Sequence, residues 1–257
     1  MRFLNLGCGH RYHPGWVNVD FRSTGPGVLA HDLHRGLPFE DHEFDAVYHS
    51  HLLEHFPKSQ APLFLRECYR VLQPKGVLRV VVPDLEQIAR LYLVYLEKAY
   101  QGDEEAKNRY AWILLEMFDQ MVRNQPGGEM VEYWKQDPMP AESFVIERAG
   151  SEVLDLLPGL RQSPRPDPRP ASEGSPGGGS QTDAGKIGEF RLSGEVHQWM
   201  YDGYSLGRLL QETGFQSVRT CRADQSDIPN FNRFLLDIEA NGAVRKPDSL
   251  FMEARKP

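Results

Sequence analysis

Two groups of residues in this chain have the types and spacing to do chemistry. The first is Gly7-Cys8-Gly9, followed by Asp20 and Asp32. Glycines on either side of one residue, just after an apolar run, let backbone approach a ligand closely. Carboxylates ending the next two apolar runs can accept hydrogen bonds from ribose hydroxyls and from an amino group on a base. Each acid alone is the ordinary residue of a turn or a cap. Their succession at consecutive strand ends after G-x-G is harder to explain without a ligand. The second group is His49, His51, Glu54 and His55, with His197 far downstream. Histidine is the usual general base near neutral pH. His51 and His55 have i, i+4 spacing and would share one helix face.

Short strands must position these groups. Residues 2–6 read as a buried strand closed by Gly7, and residues 17–19 as a second ending at Asp20. Residues 27–30 form a weaker third near Asp32, and residues 44–48 a fourth. A helix is expected to start from Ser59 as its N-cap, with Leu65, Cys68, Val71 and Leu72 on its apolar face. Pro74-Lys75-Gly76 would end it. Residues 77–82 are continuous and β-branched, the signature of a strand buried on both faces. This alternation predicts an α/β fold: a doubly wound, mostly parallel, seven-stranded Rossmann-like sheet with a helical cap insertion. Only residues 10–16 separate Gly9 from Val17. A helical crossover needs about a dozen residues or more, so a compact loop is expected there.

The chain reads as a single domain over residues 1–257. Its parts are a helical cap at 85–157, a flexible Pro/Gly/Ser-rich linker at 158–188, and the C-terminal part of the sheet at 189–257. Residues 85–101, 103–124 and 141–157 are the expected cap helices. The cap aromatics Tyr92, Tyr95, Tyr100, Tyr110, Trp112 and Trp134 fit self-packing better than pocket lining. Residues 205–213 read as a helix stopped by Gly214, and 215–221 and 249–254 as closing strands.

With 40% apolar residues, the chain is expected to be globular. A formal charge of -7 speaks against a dedicated nucleic-acid binder. No apolar run is long enough to span a bilayer. Three cysteines without a pairing pattern suggest reduced thiols and a cytoplasmic setting, and a strand beginning at residue 2 leaves no targeting segment. The partner expected is a small-molecule acceptor, with no nucleic acid and no membrane.

Charge also selects the cofactor. A dinucleotide requires G-x-G-x-x-G and a helix N-terminus facing its pyrophosphate. Here the third glycine is missing, the helix is not expected, and two carboxylates stand nearby. S-adenosylmethionine, with no phosphate and a sulfonium cation, suits such a crevice better.

The stretches Leu4-Asn5-Leu6-Gly7-Cys8-Gly9, Gly15-Trp16-Val17-Asn18-Val19-Asp20, His31-Asp32-Leu33 and Leu53-Glu54-His55 carry a resemblance. So does Glu67-Cys68-Tyr69-Arg70-Val71-Leu72-Gln73-Pro74-Lys75-Gly76. Together they resemble the class I S-adenosylmethionine-dependent methyltransferases of the type-11-like group. The resemblance implies that Gly7, Cys8 and Gly9 pass under the methionine part of the cofactor and that Asp20 binds ribose. It implies that Asp32 and Leu33 flank adenine, and that His49, just after the fourth strand, lines the pocket. Two departures stand out. Asn5 replaces the usual acid, and the first crossover lacks its helix, so that Tyr12 or Trp16 must compensate.

The expected activity is methyl transfer to a small molecule, as an O-methyltransferase on a sugar or natural-product intermediate. His51 is favoured over His55 as base, with His197 a further candidate. The alternative is a non-catalytic cofactor-binding or interaction module, which the two departures favour. The spacing of His51, Glu54 and His55, with His197 added, also suits a metal. Some divalent-ion O-methyltransferases use Glu-x-x-Glu-His there; His51 replaces the first glutamate, and no metal is assigned.

Overall fold

The computed structural model describes residues 1–162 and 184–257. Seven strands form one sheet: β1 (Phe3–Leu6), β2 (Val17–Asp20), β3 (Val28–Ala30), β4 (Phe44–Ser50), β5 (Leu72–Pro83), β6 (Gln216–Cys221) and β7 (Ser249–Arg255). Their order is β3-β2-β1-β4-β5-β7-β6, and β7 runs antiparallel to both its neighbours. This is the expected mostly parallel, doubly wound sheet. β5 is buried on both faces because its side chains alternate. Leu78, Val80 and Val82 enter one core, and Val77 and Val81 the other.

Helices cover the first face. α1 (Ala61–Val71) contributes Phe64, Leu65 and Cys68, and α8 (Gly203–Thr213) contributes Leu206 and Leu210. Asp202 and Ser205 form a capping box that fixes where α8 starts. α1 starts one residue later than expected: Gln60, not Ser59, is its cap, without a side-chain bond. It stops at Val71, so Leu72 turns extended and joins β5 instead of the helical face.

Among the described residues, no α-helix packs on the second face beside β1 and β2. Residues 10–16 are a loop, as their number requires, and the connection from β2 to β3 is also a loop. Chain from the far end of the sequence takes the missing helix's place. Between β6 and β7, residues 222–248 cross this face and lay Ile228, Phe231, Leu236 and Ile238 against Phe3, Trp16 and Tyr48. The Trp16 ring lies 5.0 Å from Phe3 and 5.4 Å from Phe234. Trp16 is therefore the residue of the short loop that fills this core.

A buried guanidinium pins that excursion. Arg79, on β5 and 0% exposed, points into the second face. Its Nε donates to Asp237 at 2.7 Å, and Nη1 donates to Glu253 at 2.9 Å and to the Gln225 carbonyl at 2.8 Å. Nη2 donates to the carbonyls of Arg222 and Ala223. Tyr48 donates to the other Asp237 oxygen at 2.6 Å. Burial opposes the charge on Arg79, but Asp237 and Glu253 outweigh it and hold its pKa above the ordinary value.

The short loop is clamped from below. Asn5 Nδ2 donates to the Arg11 carbonyl at 3.2 Å and to Asn18 Oδ1 at 3.1 Å. Asn18 in turn donates to the carbonyls of His13 and Trp16. Arg11 then reaches the excursion, donating to Leu235 O at 2.7 Å and to Glu239 at 3.0 Å. A carboxylate at position 5 could not donate to Arg11. The two departures read in the sequence are thus one device.

The cap holds α2 (Leu85–Tyr100), α3 (Glu104–Val122), α4 (Gly128–Trp134), α5 (Glu142–Ala149) and α6 (Ser151–Gln162). The single helix expected over 141–157 is split at Gly150, which has φ +61° and where a Cβ would collide with the Arg245 carbonyl. Tyr95, Trp112 and Trp134 bury themselves in the cap's own core, while Tyr100 is 84% exposed. Self-packing is the outcome for all of these aromatics except Tyr100. Of the span 158–188 expected as a linker, residues 158–162 belong instead to α6, and 184–188 open α7 (Ala184–Arg191). The remainder of that span lies outside the described residues. Among the described residues, no helix is long and apolar enough to cross a membrane.

Replacing Arg79 leaves Asp237 and Glu253 buried without their central cation. Arg79→Met is expected to lower the unfolding free energy by about 3–5 kcal/mol, read by urea denaturation. A loss below about 1 kcal/mol would mean that the excursion does not depend on this residue.

Candidate active site

In the strand order, the neighbours of β1 are β2 on one side and β4 on the other. This is the switch point at which open α/β sheets bind ligands. A cavity of about 430 Å³ lies there, within the range of small-molecule sites. One wall is Gly7, Cys8 and Gly9 with Ser50 and His51. The opposite wall carries Glu152 and Asp155 from α6 and Arg245 and Lys246 from the excursion.

The glycine turn is built by backbone. Gly7 and Gly9 have φ of +63° and +52°, where a side chain is strained. The Gly7 and Cys8 amides donate to Val19 O at 2.8 and 3.2 Å, folding the turn onto β2. The Gly9 amide donates to Asp20 Oδ2 at 2.8 Å. A side chain at Gly7 would run into Leu52, whereas a Cβ at Gly9 would meet nothing within 4 Å. The turn therefore presents open space at Gly9. Asp20 uses one oxygen on that amide and the other, at 3.4 Å, on the Arg22 amide, which leaves acceptor capacity on both.

The other expected cofactor residues are placed differently. Asp32 caps the turn Leu33–Arg35, accepting from the His34 amide at 3.0 Å. Leu33 lines a second cavity of about 540 Å³, shared with His34, His55 and Gln198. His49 does not follow the fourth strand. β4 runs on to Ser50, so His49 lies inside it, fully buried, with its ring 5.3 Å from Phe64. It lines neither cavity. Burial alone lowers its pKa to about 3.

The three candidate bases do come together, but not on a helix face. His51 has φ +50°, and a 3-10 turn Leu53–His55 follows. This turn wraps the histidines around Glu54 instead. His51 Nδ1 is 3.4 Å from Glu54 Oε1, and His197 Nε2 is 4.0 Å from the same oxygen. The rings of His55 and His197 stand edge to face, 4.7 Å apart. His51 Nε2 faces Ser249 Oγ at 2.8 Å. Burial drives each group toward its neutral form. It raises Glu54 to about 8, lowers His55 to about 4, and lowers His51 and His197 well below the ordinary histidine value. His51 lines the first cavity and His55 the second, so the cluster stands between them.

Three residues of this region escaped the sequence reading. Ser249, Arg245 and Lys246 reach the site only because β7 pairs with β5, and no local pattern marks them. Glu54 was visible as a neighbour of His55, but its place as the centre of the cluster depends on the turn.

Cys8 is buried, and burial, followed by the charge of Asp20, pushes its thiol up to about 11. At pH 8 the native protein is expected to alkylate Cys8 at least about a hundredfold more slowly than the denatured chain, because the thiolate is the reactive form. Iodoacetamide labelling followed by mass spectrometry measures this, and equal rates would contradict the buried placement.

Residues 4–80 match the family model described as a methyltransferase domain. No curated protein sequence matches the chain. Among solved structures it is similar to a SAM-dependent methyltransferase from Archaeoglobus fulgidus, at 12% identity and a TM-score of 0.41, over 100% of this chain and 86% of that one. It is also similar to a SAM-dependent methyltransferase from Aquifex aeolicus, at 11% identity and a TM-score of 0.40, over 100% and 82% of the two chains. The matched stretch contains the glycine turn, Asp20, and β2 to β4 with most of β1 and β5. Over residues 4–80 the chain is thus similar to a methyltransferase domain.

Proposed function

We propose that this chain methylates a hydroxyl of a small-molecule acceptor, a sugar or natural-product intermediate, with His51 taking the proton. The observation that carries this reading is the position of His51. It lines the same cavity as Gly7, Cys8 and Gly9, between Ser249 and Glu54.

The residues at the crevice fit S-adenosylmethionine. Open space at Gly9 admits a ligand against the turn, and Asp20 keeps free acceptor sites at the end of β2. Gly7, Cys8 and Gly9 would hold the methionine end and Asp20 the ribose hydroxyls. Leu33 and the capping Asp32 mark the adenine side. When bound, the cofactor supplies a methyl group activated by its sulfonium. The protein's own task is to align the acceptor oxygen, exclude water and accept a proton. Ser249 Oγ, 2.8 Å from Nε2, orients the His51 ring, and Glu54 Oε1 lies 3.4 Å from its Nδ1 without a hydrogen bond. Glu152, Asp155, Arg245 and Lys246 give the facing wall the charged groups that a polyhydroxylated acceptor can bond in place of water.

A non-catalytic module was favoured only by Asn5 and the short crossover. Both are accounted for by the clamp on residues 10–16.

Two measurements test the reading. Titration calorimetry is expected to show binding of S-adenosylmethionine but not NAD, and Asp20→Ala should weaken it roughly ten- to hundredfold. Undiminished affinity in that variant removes Asp20 from the site. Transfer of a labelled methyl group to a panel of sugar and phenolic acceptors tests the chemistry. His51→Gln should keep cofactor affinity while lowering kcat about 10²- to 10⁴-fold. A rate unchanged by that substitution rules out His51 as the base.

A further inference from the structure

We propose that Glu54, His55 and His197 bind a divalent first-row metal ion, with zinc the best match to their donor atoms. One donor atom from each residue lies within 4.8 Å of the others. Glu54 is 0% exposed, and among the described residues neither of its carboxylate oxygens has a hydrogen-bond partner. A buried carboxylate with both oxygens unsatisfied is costly to fold, and native structures seldom tolerate it without an ion or water. Lys246 does not fill the gap, because it pairs with Glu152 at 3.1 Å.

The surroundings orient the donors. His55 Nδ1 is buried without a hydrogen-bond partner, so this ring nitrogen is available to an ion. The two chain segments are locked by backbone. The amides of Gln198 and Trp199 both donate to the Glu54 carbonyl, at 2.7 and 3.2 Å, and the His197 amide donates to Gln120 O at 2.9 Å. The spacing between His197 and Glu54 is therefore set by main chain, not by mobile side chains.

Two imidazoles and one carboxylate form a donor set that suits zinc and its first-row neighbours, with coordination positions left over. It does not suit magnesium or calcium, which prefer oxygen throughout. Of the three donors, His55 lines the second cavity, and Glu54 Oε1 lies 3.4 Å from His51, which lines the first. In the O-methylation reading, on which this role alone rests, an ion there would bind the acceptor hydroxyl and lower its pKa beside His51.

The full-length chain, stripped with a chelator, is titrated with zinc by calorimetry and with cobalt by visible absorption. One ion per chain is expected, with cobalt d–d bands from a mixed nitrogen and oxygen site. Glu54→Gln and His197→Ala should abolish both signals, and His51→Ala should retain them. Absence of saturable one-to-one binding in the native chain overturns the proposal, whether or not the variants fold. Binding that survives both Glu54→Gln and His197→Ala also overturns it. Metal bound without methyl transfer to any hydroxyl acceptor would uphold the site and remove the O-methylation reading instead.

Discussion

A guanidinium in the middle of a sheet has no water to solvate it, so every one of its donors must find a partner in the protein. Arg79 meets this demand with Asp237, Glu253 and the carbonyls of residues 222, 223 and 225, and its plane lies 4.7 Å from the Phe231 ring centroid. Nearly all of these partners sit on, or just beside, the long connection between β6 and β7. The pairing is strong because it is buried, and removing one member would leave uncompensated charge. The excursion is thereby fixed to β5, and the face that lacks a helix acquires a core of aromatic side chains.

The form of the crevice follows from that. With the excursion lying over β1 and β4, the first crossover has no room for a helix and needs none. Its seven residues are held by Asn5 and Asn18 below and by Arg11 across to Leu235 and Glu239. The same excursion ends in Arg245 and Lys246 at the cavity wall, then enters β7 at Ser249 against His51. One buried ion cluster thus connects the stability of the sheet, the shape of the glycine turn and the cavity wall opposite that turn.

The sheet was legible in the sequence because its signals are local. Alternating or β-branched runs, the G-x-G turn and the seven-residue crossover each depend on a few neighbouring residues. The histidine cluster was half legible. His51, His55 and His197 were singled out by chemistry, but the i, i+4 argument assumed a helix where a left-handed His51 and a 3-10 turn occur. His49 was misplaced because β4 continues two residues past Tyr48, and the pleat then turns its ring to the core. Arg79 was not legible at all. Its run reads as an apolar strand, and its partner Asp237 lies 158 residues away. Pairings at that separation depend on topology, which no local pattern encodes. Asn5 was noticed for the right reason, its departure from the motif that the chain resembles, but its role needs Arg11 and Asn18 in view.

Amide hydrogen exchange with and without S-adenosylmethionine tests most directly whether the cofactor crevice lies between β1 and β4. Slowed exchange is predicted in the glycine turn, residues 7–11, and at residues 50–52, with residues 222–248 already protected in the free protein because Arg79 anchors them. Protection confined to the cap helices, or no change in the glycine turn on adding the cofactor, would contradict it.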